Sequence, residues 1–257
     1  MTIYTFDNTL DGLLTAVFDA FVQKEHPEAL LTNSDALPLF CDHTYNVVTD
    51  EVKAQRVWTG LEKHLSHEAL QLISVSWLSE LRELNTPLFQ YVCKVFRQGD
   101  ISHNFSDSDV LTVTNIARRV MHEQLRMKQF IRFQKAKDGT YVAVIAPDHN
   151  IMPLIIDHFH DRFADQPWLI YDAKRRYGYY YDGSTEAIRI TFADEATLPF
   201  NLANGKLSDD ILSTDDHLLQ DLWRTYFKAI CIRERLNPRK QLSDMPRRYW
   251  KYMTEKQ

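Results

Sequence analysis

The sequence predicts an α+β protein: a mixed or antiparallel sheet built from hairpins and packed by helices, with an N-terminal helical lobe. Three observations predict it. Apolar residues between 9 and 98 recur mostly at helical spacing, behind one short apolar strand. The β signal is concentrated between 129 and 183, where two strand pairs flank a helix. The chain then closes on a long amphipathic segment with a basic tail. Residues 1–100 read as a βα opening and helical lobe and 104–257 as an α+β platform, with the polar, turn-prone stretch 98–106 between them. A single continuous domain is the alternative.

Residues 2–6 form a short strand that could join the later sheet. From Asn8 or Thr9 a helix carries Leu10, Leu13, Leu14, Val17, Phe18 and Phe21 on one stripe. The stretch 25–44, with Pro27 and Pro38, reads as a connector or an edge segment. Thr49-Asp50-Glu51 caps a helix to Leu65, and further helices cover about 67–84 and 87–97. Another starts near Asp107 or Asp109 and runs to Lys128. Its inner side holds Val110, Val113, Ala117, Val120 and Met127. Its outer side gathers Arg118, Arg119, His122 and Arg126, a ladder that can reach successive phosphates. Solvated surface with weak ion pairs to Glu123 is the other reading.

Period-2 alternation over 130–134 places Ile131 and Phe133 on one face, with Phe130 and Arg132 on the other. The turn Lys137-Asp138-Gly139-Thr140 leads into the strand 141–145. Between 150 and 163 the period becomes helical. Ile151, Leu154, Ile155, Phe159 and Phe163 form an apolar stripe that also contains His158 and Arg162. These two are either hydrogen-bonded core groups or the floor of a pocket. His158 and His160 cannot share a metal, because positions i and i+2 leave a helix on different faces. Neither a metal nor a cofactor is expected.

Strands at 168–172 and 177–182 follow, joined by the basic turn 173–176. Tyr177, Tyr179 and Tyr181 share one side, which is a stacking surface if open and ordinary strand packing if covered. One more strand lies in 185–192. Asp215-Asp216 opens the C-terminal helix, with Leu219, Leu222, Trp223, Tyr226, Phe227 and Ile230 as a core-facing stripe. Arg224, Lys228 and Arg235 align opposite, and Asn237-Pro238 ends the helix. Pro246 starts a short tail helix in which Arg247 and Arg248 precede Tyr249 and Trp250.

Composition narrows the function classes. With 7 glycines in 257 residues the chain has no GxGxxG or GxxxxGK[ST] phosphate loop. Its 3 cysteines are scattered, which fits a reducing cytosol and offers no disulfide scaffold. No leader pattern or membrane-length run is present, so a cytoplasmic protein without a membrane partner is expected. The net charge of −5 conceals an asymmetry: 224–251 holds nine Lys/Arg and two acids, a balance of +7, which leaves −12 for the remainder. Segregation of this kind lets an acidic protein bind a polyanion through one face.

Several motifs are more specific. Leu222-Trp223-Arg224-x-Tyr226-Phe227, Arg235-x-Asn237-Pro238 and Met245-Pro246-x-x-Tyr249-Trp250 resemble the C-terminal signature of a bacterial family of unknown function labelled probable DNA metabolism protein. Arg126-Met127-x-x-Phe130-x-Arg132-Phe133, His158-Phe159-x-x-Arg162-Phe163, Trp168-x-Ile170-Tyr171-Asp172 and Arg176-Tyr177-Gly178 agree as well. So does Phe6-Asp7-x-Thr9-x-x-Gly12-Leu13-Leu14, so the likeness extends over nearly the whole chain. The resemblance implies a DNA repair or modification context, since such proteins are encoded beside a radical-SAM protein and occur fused to uracil-DNA-glycosylase-like domains. It carries over no catalytic residue. The chain has no CxxxCxxC, so cluster chemistry would belong to the partner.

The leading expectation is therefore a DNA-binding accessory subunit to a radical-SAM partner, with Arg118, Arg126, Arg224, Lys228, Arg247 and Arg248 on phosphates. The second is an enzyme acting on DNA or a nucleotide through a pocket of His158, Arg162, Arg132 and Asp172. A third is a scaffold that binds only its protein partner, through the aromatic tail.

Overall fold

A computed structural model describes residues 1–194, 198–229 and 237–256, the side chains of His217, Phe227, Lys228 and Ala229 excepted. The fold is α+β, with a three-stranded parallel sheet and a five-stranded mixed sheet. The chain divides into two compact units, Met1–Met121 and His122–Gln257.

In the first unit β1 (Thr2–Phe6) leads into α1 (Leu10–Gln23), β2 (Ala29–Thr32) and β3 (His43–Asn46). Both later strands pair with β1 in parallel. The first strand thus builds a sheet of its own instead of joining the later one, and 25–44 supplies β2 and the approach to β3. The reason is burial: Ile3, Tyr4 and Phe6 are fully buried, and a strand with both faces covered needs neighbours on both edges. β3 carries no strand signal in the sequence, because His43-Thr44-Tyr45-Asn46 is a short, polar, largely exposed edge with no apolar alternation.

Side-chain caps set the helix starts. The Thr9 side chain accepts from Gly12 N in α1. Asp50 accepts from Val52 N and Lys53 N in α2 (Glu51–His64), and Ser66 accepts from Ala69 N in α3 (His67–Trp77). α3 stops earlier than the apolar pattern suggests. Glu80 takes a left-handed φ of 56°, and a 3-10 turn at Arg82–Leu84 leads into α4 (Asn85–Gln98). α5 (Ser108–Phe130) begins where Asp107 accepts from Asp109 N and Val110 N.

The second unit holds the sheet β4-β5-β6-β7-β8. β4 (Gln134–Lys135) and β5 (Tyr141–Ile145) are antiparallel around the Asp-Gly turn. A crossover through α6 (Met152–Arg162) makes β6 (Trp168–Asp172) parallel to β5. β7 (Tyr177–Tyr181) and β8 (Ile188–Ile190) then continue antiparallel. All five residues of the central strand β6 are buried. On one face Val142, Val144, Leu169 and Tyr171 pack under Phe200, Leu207 and Leu212 from the following loop. Two of the three tyrosines on that side of β7 are covered: Tyr181 donates to Ala164 O, Tyr177 donates to Asn150 Oδ1, and the His160 ring sits 4.8 Å from that of Tyr181. Tyr179 alone stays half-buried, beside His160 and Glu186, so the three rings do not form one open stacking surface.

Gly178 explains its own identity. It pairs with Tyr171 across the β6–β7 ladder, and a Cβ on it would stand 2.6 Å from Ile170 O. Because that neighbour is backbone, the strand itself would have to shift. Gly178→Ala is expected to cost about 1 to 3 kcal/mol, read by urea denaturation, as overpacked sites do.

Two further expectations about local structure are overturned. Residues 130–133 are not a strand: α5 continues to Phe130, Ile131 N still donates to Met127 O, and β4 begins only at Gln134. Arg132 decides this, since its Nη1 donates to Gln129 O and Ile131 O and caps the helix end. The stripe of α7 (Thr214–Ala229) is not core-facing either. Leu219, Leu222, Trp223 and Tyr226 are 55%, 57%, 40% and 55% exposed. Phe200, Leu207 and Leu212, with Tyr252 packed beside them, already close one face of the sheet. Ile230 and Arg235 lie outside the described residues. α8 (Pro238–Asp244) and α9 (Arg247–Trp250) complete the second unit.

Candidate functional site

The second unit carries two adjoining concavities that share Gln129, Arg132, Phe133 and Phe163 as a common wall. Their position follows from the end of α5. Arg132 turns back over the last carbonyls and forms a forked pair with Glu255, at 2.7 Å from Nη2 and 3.1 Å from Nε to Oε1. The Glu255 side chain is fully buried, so the guanidinium is fixed and its charge compensated. Phe133 then packs edge-on against Phe159 and Phe163.

The first concavity, about 530 Å³, is basic. Lys128 comes from α5, His158 and Arg162 come from α6, and no carboxylate lines it. Among the described residues neither Lys128 nor Arg162 has an ion-pair partner, although Arg162 lies 5.7 Å over the Phe163 ring. Burial holds the His158 imidazole below its usual pKa, and the charges of Lys128 and Arg162 push the same way against a smaller opposing pull from Asp161. His158 is therefore a local probe of positive potential. An anion bound at Lys128 and Arg162 is expected to raise its NMR titration midpoint, and the paired change Lys128→Ala, Arg162→Ala to raise it in the free protein.

The second concavity, about 550 Å³, is aromatic. Phe133, Phe163, Tyr141 and Trp168 line it beside Leu219 and Trp223 of α7. Arg132 lies 5.8 Å over the Trp223 ring, and Trp223 and Tyr226 stack at 5.7 Å. Polar groups on the lining are in part uncommitted. The amides of Gln129 and Gln166 have no hydrogen-bond partner among the described residues, and the buried Trp168 N–H has none. Asp216 is committed, since it accepts from Lys135 N at 3.0 Å and from Gln220 Nε2.

Of the four residues proposed from sequence for a pocket, His158, Arg162 and Arg132 meet at the basic concavity. Asp172 does not. It is fully buried at the β6–β7 turn, where it accepts from Lys174 N, Arg175 N and Arg175 Nη1. Burial drives its carboxyl above the ordinary range, against the lowering pull of Arg175.

The six cations proposed for phosphates are dispersed in role. Arg118 belongs to the first unit and lies over Phe105. Arg126 donates to Ser243 O, and Arg247 is exposed over Trp250. Arg224 is spent on Asp221, Gln220 and Thr254 O. Arg248 bonds Glu123 and Asp148 within its own unit. The Lys228 side chain lies outside the described residues.

Glu123 is the residue that sequence reading missed. It is 2% exposed and accepts from Asp148 N, His149 N, Arg248 and, at 2.6 Å, the Tyr249 hydroxyl. Burial alone would raise its pKa, but the bonds from Tyr249 and the two backbone amides outweigh that and hold it below the ordinary carboxylate range. Its only sequence signal was an acid inside the basic ladder of α5. Among the described residues no cluster of His, Cys, Asp or Glu is placed to hold a metal ion, and no helix is long and apolar enough to cross a membrane.

The fold and these concavities define an α+β protein with a basic and an aromatic recess side by side in its second unit. The chain belongs to the family described as a domain of unknown function, DUF4130, whose profile matches residues 82–255. No curated protein matches it. Among solved structures a pGpG-specific phosphodiesterase, PggH from Vibrio cholerae, aligns over 89% of this chain and 99% of its own. The identity is 10% and the TM-score 0.30, a likeness too slight to bear on fold or activity.

Proposed function

We propose that the protein works in DNA metabolism as a nucleic-acid-binding protein whose His122–Gln257 unit takes a phosphate-bearing strand at the basic concavity. One observation carries this. Lys128, Arg162 and His158 face a recess with no carboxylate on its lining, in a chain with 35 acids against 30 Lys and Arg. The motif resemblance supports a repair or modification context in which this chain is an accessory subunit and a radical-SAM partner performs the reaction. The phosphate contacts assigned to Arg224 and Arg248 are replaced in this reading by Lys128 and Arg162, whose charges are not spent internally. Arg126 and Arg247 extend the contact surface.

The test is fluorescence anisotropy with labelled single- and double-stranded DNA over a range of salt, with and without the partner protein. Log affinity should fall linearly with log salt, by about 0.7 per phosphate neutralised on a single strand. Absence of salt-sensitive binding in both arrangements rejects the proposal. Co-purification with the partner that survives nuclease and high salt, without DNA affinity, would support a scaffold instead. An enzyme acting on DNA or a nucleotide is the second reading. It is favoured by His158, an imidazole on the same lining whose pKa is held below its usual value by burial and by the charges of Lys128 and Arg162, which keeps it neutral and able to accept a proton. Turnover of a nucleotide or oligonucleotide by the isolated chain, abolished by His158→Gln, would establish it.

A further inference from the structure

The aromatic concavity has chemistry that phosphate binding leaves unused. Its walls are flat rings, and the ring of Trp223 is partly exposed on a helix face whose apolar residues have no cover among the described residues. Two uncommitted hydrogen-bonding groups lie on its lining, the amides of Gln129 and Gln166, each able to donate and accept. A lipid chain or an apolar peptide side chain would leave these groups without partners, at a cost. A planar ring with polar edges would not. Charge narrows the occupant further, because the wall of Gln129, Arg132, Phe133 and Phe163 is shared with the basic recess. A ligand with a flat polar ring and an attached phosphate matches both sides of that wall.

We infer that the concavity between Trp223 and Phe133 holds one unpaired nucleobase, stacked on the Trp223 ring with its edge met by Gln129 and Gln166, while the adjoining phosphate lies toward Lys128 and Arg162. The volume of about 550 Å³ is within the range of small-ligand sites. Arg132, held by Glu255 and lying over Trp223, keeps the indole in place. Tyr226, stacked on Trp223 within α7, braces the indole as well. The inference rests on the nucleic-acid reading for its strand, but a free nucleoside can test the pocket alone.

The experiment has two arms. Free nucleosides, with ribose 5-phosphate as the baseless control, are titrated while tryptophan fluorescence is followed. Single-stranded DNA is compared with a strand of equal length made of abasic sites. Nucleosides should quench the fluorescence, and the natural strand should bind about tenfold tighter than the abasic one, in keeping with one stacked base. Trp223→Ala should remove that preference and leave the salt dependence unchanged, and Trp223→Phe should restore part of it. Because Trp223 is 40% exposed, both variants are expected to fold, which circular dichroism checks. If natural and abasic strands bind equally and nucleosides do not quench, the base site is refuted while strand binding stands. If nucleosides quench in a Trp223-dependent way and no strand binds, the base site stands and the proposed function falls.

Discussion

Replacing Glu123 with glutamine is expected to destabilise the His122–Gln257 unit by about 3 to 5 kcal/mol, the usual cost of removing one partner from a buried charged network. Four donors converge on the carboxylate: two successive backbone amides from the loop before α6, and Tyr249 and Arg248 from α9. Glutamine keeps the shape but presents an NH2 to groups that are themselves donors, and leaves Arg248 with Asp148 but without the buried carboxylate. Tyr249→Phe removes a single bond to a charged group and should cost less, about 1.5 to 3 kcal/mol. Urea denaturation followed by tryptophan fluorescence measures both, since Trp250 adjoins Tyr249 in α9. The pH dependence has a definite sign. The folded-state pKa of Glu123 is depressed, so its contribution is complete above the unfolded value of about 4.3 and is lost as pH falls through the folded value. The glutamine variant should therefore lose stability at neutral pH and show a shallower acid limb. An unchanged midpoint in Glu123→Gln would mean that the α9 tail is not held through this residue.

The second large effect concerns binding. Lys128→Ala combined with Arg162→Ala should weaken single-stranded DNA on the order of 100-fold at low salt, since each removes a charge-assisted contact. The slope of log affinity against log salt should become shallower by about 1.4, twice the single-strand value per phosphate. Neither residue has an ion-pair partner among the described residues, so stability should be little changed and the loss can be read as binding. Arg224→Ala is the informative contrast. Its guanidinium already serves Asp221, Gln220 and Thr254 O, so a change there should alter stability and leave the salt slope alone. If Arg224→Ala flattens the slope and the double change does not, the strand runs along α7 and not across the basic recess.

Features that depend on neighbours in sequence were legible. The capping acids and hydroxyls at Thr9, Asp50 and Asp107 announced helices. Trp168 through Asp172 and Tyr177 through Tyr181 announced strands, because apolar and aromatic runs between turn residues need no distant partner to be recognised. His158 and Arg162 were legible as a pair because helical spacing alone puts them on one face. The roles of Arg132 and Glu123 were not legible. Arg132 meets Glu255 across 123 positions and Glu123 meets Tyr249 across 126, and no local pattern encodes either pairing. The α7 stripe misled for a related reason, since amphipathicity states that a face is apolar without stating what covers it.

By itself the sequence determined the α+β class, most of the helices and central strands, and the segregation of positive charge toward the C-terminal part of the chain. Tertiary structure alone decided which charges remain available to a ligand. A buried carboxylate captures whichever guanidinium folding delivers to it, and at Glu123 and Glu255 it captures Arg248 and Arg132, leaving Lys128 and Arg162 to face the recess.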